Sequence, residues 1–121
     1  MVYSFEKLEV WQKSRVLMKS IYITTKNFPS EERFGMTSQL RRASVSVSSN
    51  IAEGSVRWSK KEQARFYEIS YGSLMEVLNQ LILSHDLEFL NEKSLLELRL
   101  QIDEVARMIN SLYYAAKKDS A

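Results

Sequence analysis

Three glycines and one proline in 121 residues leave this chain few places to turn. A sheet protein of this length needs many tight turns, and tight turns draw on glycine and proline. Few breakers mean few, long elements, and the apolar spacing makes those elements helices. From Leu95 the residues Leu98, Ile102, Val105, Ile109, Leu112 and Ala116 follow at alternating steps of three and four, an unbroken heptad seam.

Three further segments carry helical spacing. Residues 5–27 place Leu8, Trp11, Met18, Ile21, Tyr22 and Thr25 on one side, and Pro29 ends the segment. Residues 37–53 carry Leu40, Ala43, Val47 and Ile51 behind Met36, with Gly54 as a C-cap glycine. A third helix opens at Ser59, whose spacing to Glu62 is that of a capping box, and continues to Leu87. Phe66, Ile69, Ser73, Val77, Leu81 and Ser84 share one side of it, and Tyr67, Tyr71, Leu74, Leu78 and Ile82 the adjoining side. For the fourth helix the capping box is Ser94 with Glu97. Four helices with short connections predict an all-α, up-and-down antiparallel four-helix bundle, one domain over residues 1–121.

The composition bears on function mainly by exclusion. There is no cysteine, hence neither a disulfide nor a thiolate, which fits a reducing, cytoplasmic setting. No stretch is long and apolar enough for a membrane span, and the first residues have no signal-peptide run. The single imidazole, His85, has no second histidine or cysteine to work with, and no Glu-x-x-His pair exists for a bundle metal site. With glycines only at 35, 54 and 72, no phosphate-cradling loop can form. The expectation is a protein without catalytic residues, metal or cofactor.

Charge is the remaining lead. Residues 1–65 hold 12 Lys/Arg against 6 Asp/Glu, a balance of +6, and residues 66–121 hold 5 against 9, a balance of −4; together they give the net +2. Arg41 and Arg42, then Arg57, Lys60, Lys61 and Arg65 around Trp58, are candidates for contacts with RNA or DNA, since arginine pairs with phosphate and an exposed aromatic can stack on an unpaired base. The same residues also fit an ordinary solvated surface. Leu96 and Leu100 lie opposite the seam of the fourth helix and cannot enter the same core. With Tyr71 and Leu78 they form a candidate homo-oligomer interface. A protein–protein adaptor without nucleic-acid affinity is the alternative, using the acidic half and the outer leucines.

The stretch from Ser38 to Gly54, SQLRRASVSVSSNIAEG, resembles the four-helix-bundle proteins encoded in intervening sequences of bacterial 23S ribosomal RNA genes. Leu8-Glu9-Val10-Trp11-Gln12, Phe28-Pro29, Glu32, Arg57, Phe66, Gly72-Ser73-Leu74 and Glu76 add to the resemblance, which spans nearly the whole chain. Members often carry a proline where this chain has Ser48, so a kink in the second helix is not expected here. The resemblance implies the bundle and a more distant kinship with the accessory proteins of diversity-generating retroelements. Those form ring-like pentamers and bind nucleic acid and a reverse transcriptase, so it also implies a pentamer, a nucleic-acid partner and a protein partner. It supplies no catalytic residue. Its marked positions here include Gln39, Arg41, Arg42, Asn50, Glu53, Gly54, Arg57, Gly72, Ser73 and Glu76. Of these, Asn50, Glu53, Ser73 and Glu76 are candidates for an internal polar network with Arg42, or for direct contact with a partner.

Overall fold

The structure, a computed structural model, describes residues 1–120. It contains four helices, α1 (Glu9–Thr25), α2 (Met36–Ser55), α3 (Lys60–Asp86) and α4 (Glu92–Asp119), with no strand among the described residues. Each helix packs against its sequence neighbours and α1 closes on α4, so the four stand at the corners of a square. Pairings run antiparallel. Ser14 meets Ser48 and Tyr22 meets Arg41 between α1 and α2, while Ser46 meets Ser73 and Gln39 meets Gln80 between α2 and α3. Lys13 meets Glu104 and Ser20 meets Gln101 between α1 and α4. The fold is the up-and-down four-helix bundle that the periodicity predicts.

All four helices feed one core. Leu17 and Ile21, Leu40, Val47 and Ile51, Leu74, Val77 and Leu81, and Ile102, Val105 and Ile109 are shielded from water. Burying each such side chain contributes about 1.5–3 kcal/mol, which makes this stripe the main source of stability. The α4 seam is as the heptad predicts, except that Leu112 is only partly covered. In α1 the stripe is rotated from the expected one. Val10, Ser14, Leu17, Ile21 and Thr25 face inward, whereas Trp11 and Met18 are half-exposed and Tyr22 lies at the surface. The large rings lead a reading by hydrophobicity astray. Trp11 instead packs edge-on against Phe5, with the Arg15 guanidinium 4.7 Å from its ring centre.

Helix ends also differ. The expected first helix is two pieces, because Leu8 is extended (φ −70°, ψ 123°) between a 3-10 turn at Ser4–Lys7 and α1. That turn is closed separately, by the Tyr3 N–H donating to Glu6 Oε2 at 2.8 Å. At the start of α4 the cap is Asn91, not Ser94. Asn91 Oδ1 accepts the Ser94 N–H at 2.8 Å, which puts Ser94 in the first turn. The Ser59 cap is as expected, its Oγ accepting the Glu62 N–H at 3.1 Å. α2 passes through Ser48 without a break, and the Ser48 hydroxyl meets that of Ser14 at 2.9 Å.

Gly54 is not a C-cap residue. It is buried within the last turn of α2, where an added β-carbon would stand 2.9 Å from both Phe66 Cβ and Tyr67 Cε1. Its bare backbone is what lets α3 close onto α2. Gly72, another of the marked positions, lies in the open: a β-carbon there would meet nothing within 4 Å.

Candidate nucleic-acid interface

The connection between α2 and α3 is short because contacts at both of its ends pull the helices together. Gly54 admits Phe66 and Tyr67, the Val56 N–H returns to the Glu53 and Gly54 carbonyls, and Gln63 Nε2 donates to the Arg57 carbonyl at 2.9 Å. Trp58, at the apex, is fully exposed, at 102% of its reference surface. Arg57 stacks over Phe66 at 4.5 Å from the ring centre and lies 3.5 Å from Glu53 Oε2.

Lys60, Lys61 and Arg65 follow on the first turns of α3, exposed and without an ion-pair partner among the described residues. Between residues 53 and 65 four cationic side chains face two carboxylates, Glu53 and Glu62. Lys60 and Lys61 open α3, where the helix dipole disfavours cations by about 0.3–1 kcal/mol each. The dipole adds to their own potential, so the turn is the positive pole of α3, with Trp58 projecting from it. The α4 terminus lies at the same end of the bundle. Lys60, Ser55 and Gln63 share a cavity of about 300 Å³ with Ala115, Ala116 and Asp119. Lys117 and Lys118, from the acidic half of the chain, close α4 beside it.

The structure divides the six predicted basic residues. Arg57, Lys60, Lys61 and Arg65 are together. Arg42 is exposed on the outer face of α2, about 15 residues and roughly 22 Å along the axis from Arg57. Arg41 is taken up internally. Its Nε donates to Thr25 Oγ1 at 2.9 Å, its Nη2 to the Tyr22 carbonyl at 3.3 Å, and its guanidinium lies 4.6 Å from the Tyr22 ring centre. It ties the end of α1 to α2, satisfying a carbonyl that the helix terminus leaves free.

The expected polar network is two separate clusters. In one, the Ser46 and Ser73 hydroxyls meet at 2.8 Å and Asn50 Nδ2 donates to the Ser46 carbonyl and hydroxyl at 2.9 and 3.1 Å. In the other, Gln80 Nε2 donates to Glu76 Oε1 at 3.2 Å and to Gln39 Oε1 at 3.4 Å. Glu53 belongs to neither, being paired at the surface with Arg57, and Arg42 joins neither. Gln80, which the sequence reading passed over, is buried, and its Oε1 has no partner. Its only sequence signal is a glutamine between the core positions Val77 and Leu81.

The four residues of the expected oligomer surface also part. Leu96 and Leu100 are exposed on the outer face of α4, at 54% and 71%. Leu78 and Tyr71 are half-buried and pack against the core instead, because they flank α4 and do not point outward. The outward apolar residues of α3 are Ile69 and Leu83. His85 is half-buried, and its side chain is in no ion pair among the described residues. Among the described residues no three His, Asp or Glu side chains gather as metal ligands, and no helix is long and apolar enough to cross a membrane.

The model of the 23S rRNA-intervening sequence protein family matches residues 6–111. Among solved structures, a protein of unknown function of the S23 ribosomal protein family from Bacteroides thetaiotaomicron superposes with a TM-score of 0.77 at 20% identity, over 86% of this chain and 97% of that one. At that identity the likeness is one of fold. None of the curated proteins matches the chain.

Proposed function

The chain belongs to the 23S rRNA-intervening sequence protein family, and from that premise we propose that it is a non-catalytic, self-associating cytoplasmic scaffold that binds single-stranded RNA or DNA at the α2–α3 turn. The carrying observation is Trp58, fully exposed among Arg57, Lys60, Lys61 and Arg65. A solvated indole of this size contributes nothing to the fold. Beside the unpaired Lys60, Lys61 and Arg65 it offers an unpaired base a face to stack on while the lysines and arginines take the phosphates. Self-association multiplies such a patch and raises avidity for a long strand without new contacts. The exposed Leu96 and Leu100 supply apolar area for it.

The test is fluorescence anisotropy with short labelled RNA and DNA across a salt series. Four phosphate contacts on a single strand give a slope of log K against log salt of about −3. Trp58→Ala is expected to weaken binding by about 1–3 kcal/mol, the worth of one stacked base. The quadruple alanine variant of Arg57, Lys60, Lys61 and Arg65 is expected to flatten the slope. Absence of binding at low salt removes the proposal and leaves the adaptor reading, which uses the acidic half and the outer leucines.

A further inference from the structure

The geometry points to a binding site for an organic cation, an alkylammonium or guanidinium group, in the cleft between α3 and α4. A cleft of about 320 Å³ is lined by Tyr67, Glu68, Tyr71, Asn110, Tyr113 and Tyr114. That size is at the lower bound for small-ligand sites. The helical spacing explains why the rings meet. Tyr67 and Tyr71 are one turn apart on the α4 side of α3, and Asn110, Tyr113 and Tyr114 lie on the facing flank of α4. Tyr113 and Tyr114 pack edge to face, almost perpendicular, with centroids 5.0 Å apart at 82°. Tyr67 is buried at the back, Tyr71 and Tyr113 are half-covered, and Tyr114 and Glu68 are open at the mouth.

Two observations identify the ligand chemistry. Four other aromatic rings of this chain each have their own guanidinium: Arg15 on Trp11 at 4.7 Å, Arg33 on Phe34 at 4.7 Å, Arg41 on Tyr22 at 4.6 Å and Arg57 on Phe66 at 4.5 Å. The tyrosine cleft holds the densest group of rings, yet among the described residues no cation lies over any of them. Its one charged residue, Glu68, is a carboxylate in no ion pair among those residues. Negative ring faces beside a free carboxylate attract a cation and repel phosphate. One carboxylate is too few for calcium or magnesium, which take several oxygen ligands, whereas a large, weakly hydrated organic cation is held by π faces. This site is independent of the α2–α3 turn and of the nucleic-acid reading.

The test is NMR of ring-labelled tyrosines titrated with choline, with N-acetyl-arginine methylamide and with 3,3-dimethyl-1-butanol, the neutral isostere of choline. Saturable shifts of the Tyr71, Tyr113 and Tyr114 rings with the cations, and none with the isostere, are expected. The tighter of the two cations tells whether a small quaternary ammonium or an arginine side chain of a protein is the better fit. Glu68→Gln is expected to weaken binding by about threefold, and Tyr114→Ala by roughly two- to tenfold. Both positions are exposed, so neither change removes core packing. Trp58→Ala is expected to leave the response intact. No saturable shift at tens of millimolar overturns the proposal, as does an equal response to the isostere. A fall in native mass on Glu68→Gln with no cation response also overturns it, by assigning the cleft to contact between copies.

Discussion

Gly54 and Tyr67 stand so close that a β-carbon at position 54 would lie 2.9 Å from Tyr67 Cε1. Phe66 Cβ is equally near, and neither it nor the buried tyrosine can withdraw without moving α3. Gly54→Ala is therefore expected to destabilise the bundle by about 1–3 kcal/mol, the usual cost of overpacking. Gly72→Ala is expected to stabilise it by about 0.5–1 kcal/mol, since the position is mid-helix, exposed and free of neighbours. Urea denaturation of the two variants checks the opposite signs. Equal shifts would mean that α2 and α3 are not in this contact.

The cap of α4 gives a second pair. Asn91 Oδ1 holds the Ser94 N–H, so Asn91→Ala is expected to cost about 1 kcal/mol. Ser94→Ala is expected to change stability by a few tenths at most, as its side chain makes no capping bond. Thermal melts followed by circular dichroism separate them, and the reverse order would restore Ser94 as the cap.

Leucines and isoleucines of α4 are predicted to fail differently. Ile109 is fully buried, and Ile109→Asp is expected to unfold the protein by leaving a charge unpaired in the core. Leu100 is exposed, and Leu100→Glu is expected to keep the helical signal while lowering the native mass measured by light scattering. A wild-type mass equal to one chain would dispose of self-association, and an assembly unchanged by Leu100→Glu would move the interface to another face.

Burial raises the Tyr67 phenol above its ordinary 10.0 by penalising the phenolate. The folded state therefore holds this proton more tightly than the unfolded chain. That contribution is fully present below about pH 10 and is lost as pH rises through the folded value. Tyr67→Phe cannot ionise, so it is expected to unfold less steeply above pH 10 than the wild type. Parallel alkaline melting curves for the two proteins would contradict this.

The sequence by itself determined the bundle. Period and punctuation are local properties, and the α4 seam, the α2 stripe and the Ser59 cap were all legible from spacing. The basic character of the α2–α3 turn was legible too, because its residues are contiguous. Tertiary structure decided the rest, which depends on what lies across from a side chain. Arg41 and Arg42 are adjacent in sequence, yet Arg41 is spent on the end of α1 and Arg42 faces water. Gly54 is crowded and Gly72 open, because only the facing helix settles which a bare backbone is. Glu53 and Glu76 share a pattern of marked positions but point to different neighbours, and four tyrosines from two helices meet in a cleft that no window of sequence contains. A helix reports which residues share its face, but the partner of that face belongs to the packing of the whole bundle.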